Sequence, residues 1–327
     1  MFKKTLVILV LSVCMTAVCG FLKPAQADTI NLSYSIFFPD VHAQCIAAKN
    51  WAKEIEKRSD GRVKINVYAG GTLAKGAETY KAVSSGIADI GMSCFAYTRG
   101  RFPVMEAVDL PLGYPDGKTA TSVANEFYKK MKPAELDDVK VLYLHAHGPG
   151  LLHSKKPVKT IDDMKGLKVR STGFSGKVVS ALGGVPVAMG QSGAYEALQK
   201  GVVEATFAPI ETLKGWKQAE VVKSTTNTRD IGYTTAMFVV MNKQKWEKLP
   251  ADIQKIFNEV SEEWIGVQGE TWDKADEEGL AFTRKLGNEI IELAPEQNAL
   301  WVEAAQPVLD EYVTGMKKKN LPGEQAV

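Results

Sequence analysis

Apolar and polar residues trade places along this chain in two rhythms, and the switches between them mark its elements. Thr29 to Ile36 alternates apolar and polar residues, the period of a strand. Ala48, Trp51, Ala52 and Ile55 then share one face of a helix, which Gly61 ends. Arg62 to Tyr68 returns to the two-residue period, with Val63, Ile65 and Val67 on one side, until Gly70-Gly71 breaks it. The same grammar predicts strands near 139–145, 167–171, 185–189, 203–208, 235–241 and 288–293, with helices in the intervals. Strands joined by helical crossovers imply mainly parallel sheets covered on both faces. From Pro250 the residues Ile253, Ile256, Phe257, Val260 and Trp264 keep helical spacing, and helical character runs on to about Leu286. A helix of over ~30 residues extends ~45 Å, more than one lobe needs. It is expected to lie across two lobes, with Gly266 or Gly269 the places for a bend.

One stretch occurs twice. Tyr80 to Ile90 and Tyr195 to Ala205, 115 residues apart, both read Y-x-A-(V/L)-x-x-G-(I/V)-x-(D/E). Each copy is a helix stopped by a glycine that turns into a strand. The separation is too great for a solenoid and suits equivalent units in two similarly built lobes.

The first 27 residues stand outside this pattern. Lys3 and Lys4 precede an apolar run from Thr5 to Phe21, and Ala25-Gln26-Ala27 is a small-residue cleavage site. That layout is a secretory signal, with residues 1–27 removed and the product exported to the periplasm. An uncleaved anchor and a lipoprotein signal at Cys19 fit less well, the first because the run is short, the second because Val18 is bulky. Three of the 40 basic residues, Lys3, Lys4 and Lys23, leave with the signal, so 37 basic face 38 acidic residues, a net charge of −1. Such a balance, without a basic block, argues against nucleic acid and anionic membranes as partners. Removing 27 of 327 residues leaves 300, enough for two lobes with their own cores. Cys45 and Cys94 remain, and their spacing leaves open whether they pair or stay as buried thiols.

Catalytic signatures are missing. Gly190-Gln191-Ser192-Gly193 and Gly173-Phe174-Ser175-Gly176 fall one residue short of G-x-S-x-G, and Gly71 to Gly76 lacks the G-K-(S/T) of a phosphate loop. His145 and His147 sit two apart at a strand end, but no third ligand lies at useful spacing, so no metal is expected. The acidic pairs Asp162-Asp163, Glu262-Glu263 and Glu277-Glu278 read as solvated helix faces or helix starts. The chain is therefore expected to bind rather than catalyse, with no cofactor.

Asp162-Asp163-Met164-Lys165-Gly166-Leu167-Lys168-Val169-Arg170 resembles the D-(L/M)-K-G-(L/M)-K-(I/V)-R segment of the extracytoplasmic solute receptors of TRAP transporters, the C4-dicarboxylate-binding protein family. Gly61-Arg62-Val63-Lys64-Ile65 with Gly70 to Leu73, Tyr195 to Val203, and Val240-Met241-Asn242 with Trp246 and Leu249-Pro250 are similar to the family's other segments, in the same order. The resemblance implies an α/β, two-lobed periplasmic-binding-protein-like fold with a long helix spanning both lobes. It implies closure on a small organic acid and delivery to the permease subunits of an ion-driven membrane transporter, without ATP or covalent chemistry. It also implies that Arg170 pairs with the ligand's carboxylate. The expected division is 28–147 and 236–275 in lobe I and 148–235 and 276–327 in lobe II, acting as a monomer. A sensory partner of a membrane receptor is the alternative, an enzyme a more distant one.

Two departures bear on the ligand. Where many members have a second arginine this chain has Gly150, and where many have asparagine it has Ala208, before Pro209. The pocket should be less polar. Aromatic candidates around the cleft are Phe37 and Phe38, Phe95 and Tyr97, then Phe207, Trp216 and Tyr233. Together they favour a hydrophobic or aromatic monocarboxylate. Glu78, His42 and Gln191 are candidates for polar contacts at the ligand's other end, and His147 for a contact where the lobes join.

Overall fold

The computed structural model describes residues 29–327; the signal sequence read at 1–27 lies outside them. Eleven strands among these residues form two sheets. The first contains β1 (Ile30–Ile36), β2 (Val63–Tyr68), β3 (Ile90–Cys94) and β4 (Val139–Ala146). The second contains β5 (Leu151–Ser154), β6 (Lys168–Ser171), β7 (Val185–Ala188), β8 (Ala205–Ala208) and β9 (Ser224–Asn227). The chain returns to the first sheet as β10 (Ala236–Asn242) and ends in the second with β11 (Glu289–Glu292). The strand orders are β2-β1-β3-β10-β4 and β11-β9-β5-β8-β6-β7.

The sheets are mainly parallel, as strand–helix alternation predicts, with one reversed strand in each. β1 pairs parallel with β2 and β3, and β6 pairs parallel with β7 and β8. By contrast β10 runs antiparallel to β3 and β4, and β5 antiparallel to β8 and β9. The reason is topological: β5 and β10 arrive from the opposite sheet, not through a helical crossover in their own, so nothing requires parallel entry. The two crossings lie side by side. Gly150 N donates to Tyr233 O at 3.0 Å, and Thr234 Oγ1 donates to His147 O at 2.5 Å.

Two strands had no periodic signal. β5 is four residues long, and β9 reads Ser-Thr-Thr-Asn, wholly polar although Ser224, Thr225 and Thr226 are buried. Its hydroxyls are satisfied: Ser224 Oγ lies 3.0 Å from Ser154 Oγ, Thr225 Oγ1 lies 3.0 Å from His153 Nδ1, and Thr226 Oγ1 donates to Val158 O at 2.6 Å. Burial of polar groups is tolerated when each finds a partner.

The repeated segment folds the same way twice. Helices Thr79–Ser84 and Ala194–Lys200 each run into a left-handed glycine, Gly86 at φ 79° and Gly201 at φ 75°. Ile87 N returns to Ala82 O as Val202 N returns to Ala197 O. Each turn then delivers the chain to a buried strand, β3 or β8.

Ala251–Lys285 is a single 35-residue helix. Ile253, Phe257 and Val260 join Trp51 and Ile55 in the first core, while Leu280 and Phe282 pack against the apolar cluster of Leu198, Leu213 and Val222. The helix thus serves both lobes, and its assignment continues through Gly266 and Gly269. Two of its glycines serve close packing: a Cβ on Gly279 would lie 2.3 Å from Ile210 O, and one on Gly269 would lie 2.8 Å from Lys118 Cα. The segment around Val104, Ala107 and Leu110 buries its apolar side chains in the core formed by Trp301 and Tyr312. Cys45 and Cys94 are both free, buried thiols.

Candidate functional site

The carboxyl ends of β1, β3, β6 and β8 converge between the sheets, where open α/β folds habitually bind ligands. β1 continues into Phe37-Phe38, and the turn after β2 fixes them. Gly70 N donates to Phe38 O at 2.8 Å and Gly71 N to Ile36 O at 2.9 Å, both glycines having positive φ. From the other sheet come Arg170 and Thr172 around the end of β6, then Phe207 and Ala208 at the end of β8. His147, Tyr233 and Thr235 enter from the two crossings, and Trp272 from the long helix. The space between them, open mouth included, is about 390 Å³.

Arg170 is 4 % exposed. Its Nε donates to Met189 O at 3.1 Å, and among the described residues no carboxylate lies within ion-pair distance. A buried cation carries a large desolvation cost unless an anion meets it. Burial pushes the imidazole of His147 down to about 4, with Arg170 adding to the effect, so that ring is neutral. Burial likewise pushes up the Tyr97 and Tyr233 phenols and the Cys94 thiol.

The remainder of the wall is aromatic. Phe37 stacks on Phe38 with centroids 4.3 Å apart, meets Tyr97 at 5.4 Å and faces Trp216 at 6.1 Å. Phe38 contacts Trp272 at 6.0 Å, and Phe207 contacts Tyr233 at 4.5 Å. Two polar contacts close the cleft around this wall. Gln191 N donates to Tyr97 Oη at 2.9 Å, and His42 Nε2 lies 2.9 Å from Glu211 Oε2. His42 Nδ1 accepts from Gln44 N, capping the helix Ala43–Arg58, so Nε2 is the protonated nitrogen and donates to Glu211.

Of the twelve residues singled out from the sequence, Arg170, Phe38, Tyr97, His147, Gln191, Phe207, Ala208, Trp216 and Tyr233 line this space. Three do not. Phe95 turns into the first-lobe core, edge-on to Phe102 at 5.1 Å and 5.3 Å from Phe238, because the tight turn Phe95–Tyr97 sends its two ends in different directions. Glu78 is exposed at the start of helix Thr79–Ser84, where a carboxylate suits the helix dipole. His42 sits one layer back, behind Phe38 and Trp216. Sequence reasoning missed Glu211, Thr235, Met237 and Trp272. For Glu211 the signal lay in its position two residues after Pro209 at a strand end; for Trp272 it lay in a large ring on a helix face between two packing glycines.

The other histidines are structural. His145 Nδ1 accepts from Trp272 Nε1 at 3.0 Å, and burial pushes its pKa down to about 3. His153 Nε2 lies 3.1 Å from Ala208 O. Among the described residues no three His, Cys, Asp or Glu side chains are grouped to hold a metal.

Residues 34–315 match the family model DctP, described as bacterial extracellular solute-binding protein, family 7. The C4-dicarboxylate-binding periplasmic protein DctP of Rhodobacter capsulatus is 30% identical over 303 residues, covering 88% of each chain. A TRAP periplasmic solute binding protein from Desulfovibrio salexigens, solved in an open state, is 32% identical with a TM-score of 0.79, over 91% of this chain and 93% of that one. A TRAP solute binding protein from Rhodoferax ferrireducens, solved with copurified benzoate, is 27% identical with a TM-score of 0.87, over 91% of this chain and 95% of that one.

Proposed function

The chain belongs to the bacterial extracellular solute-binding proteins of family 7, the TRAP receptors, and from that premise we propose that it captures an aromatic monocarboxylate between its lobes. The observation that carries the reading is Arg170: a buried guanidinium without a protein carboxylate, in the lining of a slot walled by aromatic rings. An arginine fork matches a carboxylate with two parallel hydrogen bonds. Gln191 adds an amide whose Nε2 has no partner among the described residues. Phe37, Tyr97, Phe207 and Tyr233 supply flat apolar contact for a ring. No lining group suits covalent chemistry. The Cys94 thiol, raised by burial, stays protonated, and His147 lies too low to act as a base near neutrality.

In this reading residues 28–147 and 236–275 form one lobe and 148–235 and 276–327 the other. Residues 1–27 direct export and are removed, and the closed monomer presents its ligand to a membrane permease of the TRAP type.

Calorimetry with benzoate, phenylacetate, succinate and glucuronate tests the ligand class. Binding of the ring acids alone is expected, and binding restricted to succinate or glucuronate would sink the reading. Arg170→Ala removes one partner of a desolvated charge pair, which costs ~2–5 kcal/mol. The expected affinity loss is roughly 30-fold or more. Near-unchanged affinity would remove Arg170 from the role. Uptake of the same acid by vesicles holding the cognate permease, dependent on this protein, tests delivery.

A further inference from the structure

Two grooves run along the seam between the lobes, and they meet the central cavity differently. Lys75 after β2 and Arg99 after β3 border one lip of the first, and Gly173 after β6 and Gly190 after β7 border the other. Phe37, Tyr97 and Thr172 line both this groove and the cavity around Arg170, so the groove leads onto the cavity. At the junction Gln191 N donates to Tyr97 Oη at 2.9 Å. The second groove, between Ile46 and Lys217, shares only Glu211 with the cavity, and there the buried His42–Glu211 pair bars the way.

The first groove carries positive charge. None of the described residues that line it is acidic. Lys75 and Arg99 are exposed, and among the described residues neither has a carboxylate within ion-pair distance. An adjoining hollow that shares Arg99 and Gly173 adds Glu106 and Lys177, the latter paired with Glu311 at 3.1 Å. Burial, aided by Glu135, raises the Glu106 carboxyl to about 7, so it opposes the cations with only part of a charge near neutrality. Glu78 stands outside the lining, at the start of its helix. The chain without residues 1–27 has a net charge of −1, so its overall charge does not attract an anion. Local charge must do so.

We propose that this groove is the ligand's port of entry, and that Lys75 and Arg99 draw an organic anion to it before the lobes close. Clefts lined by one sign of charge between low-dielectric walls concentrate counter-ions and raise association rates. Steering acts across the screening length, so neither side chain has to touch the bound ligand. Neither lines the inner cavity, so both act on arrival rather than on holding. Closure brings the lips together beside the port, where a Cβ on Gly173 would lie 2.8 Å from the Cβ of Ala96. The inference rests on the carboxylate reading and adds to it a route and a rate.

Stopped-flow emission of Trp216 and Trp272, which line the cavity, separates arrival from release in the mature protein. The probe is the tightest binder among benzoate, phenylacetate, succinate and glucuronate. At about 0.1 M salt the screening length is ~10 Å, which confines each pair of charges to its own groove. Lys75→Gln combined with Arg99→Gln is expected to slow association about threefold, and Lys75→Glu combined with Arg99→Glu about tenfold. Release should stay within about twofold of the parent in both. The differences should fade at about 1 M salt, where the screening length is ~3 Å. Lys217→Gln combined with Lys274→Gln removes the same charge from the second groove and should slow association much less. Association that ignores the charge at positions 75 and 99 overturns the port and leaves the carboxylate reading intact. So does equal slowing by the Lys217 and Lys274 pair, or an effect confined to release. Failure of all four acids to bind overturns the reading and the port together.

Discussion

The ring of Tyr233 occupies the space that a side chain on Gly150 would need, its Cε1 falling 1.9 Å from an ideal Cβ at that position. The two residues face each other across the paired crossings, with Gly150 N bonded to Tyr233 O. A neutral phenol, raised further by burial, takes the volume. The pocket keeps a single guanidinium, suited to a single carboxylate.

Gly150→Ala should therefore be destabilising despite the small change. Overpacking a filled site costs ~1–3 kcal/mol, and here the obstruction is a ring held by Phe207 and His147 rather than a flexible tail. A lowered melting temperature is expected together with weakened ligand binding. An unchanged melt would mean that Tyr233 swings aside freely.

Tyr97→Phe deletes the acceptor for Gln191 N while keeping the ring against Phe37. A neutral hydrogen bond contributes ~0.5–1.5 kcal/mol, a factor of roughly 2–10. Because this bond exists only with the lobes together, the loss should be seen mainly as faster ligand release in stopped-flow fluorescence. An effect confined to the association rate would contradict its role in holding the cleft shut.

Asp276, on the long helix, accepts from Glu211 N at 3.0 Å, and burial, aided by the negative charge of Glu211, raises its pKa from 3.8 to about 8. Between those values the folded chain holds a proton that the unfolded chain has released. Stability should fall as pH rises from 4 to 8, by up to about 1.4 kcal/mol per pH unit from this group. Asp276→Asn retains an acceptor for Glu211 N and cannot ionise. Urea unfolding should find its advantage over the parent growing from pH 5 to pH 8, and a constant difference would refute the shift.

Cys45 and Cys94 should both stay unreactive towards a thiol reagent at pH 8, since burial raises the first to about 11 and the second further still. Denaturation without reductant should release two thiols per mature chain. Release only after reduction would establish a disulfide instead.

The long helix, the repeat and most strands were legible because they rest on local rhythm: apolar spacing, and the glycines that stop Thr79–Ser84 and Ala194–Lys200. β9 was not, because its burial depends on hydroxyl partners supplied by β5 and the loop at Val158, which no window of sequence contains. The reversal of β5 and β10 was lost for a similar reason, since both strands change sheets. At the site, Arg170 was readable from its motif and the aromatic set from position at strand ends. Phe95 and Tyr97 look alike in sequence, yet one turn directs the first inward to Phe238 and the second to the cleft. Glu211 and Trp272 escaped because their partners, His42 and His145, lie 169 and 127 residues away.

The laced crossings have a mechanical consequence. Two segments tied to each other at Gly150–Tyr233 and His147–Thr234 behave as a narrow ribbon, pliant to bending across its width but stiff to torsion along its length. The helix Ala251–Lys285, pinned to Lys118 at Gly269 and to Ile210 at Gly279, acts as a strut that denies sliding. Opening is left with one soft direction, like a door rather than a ball joint, so each return brings the aromatic wall back to Arg170 in the same register.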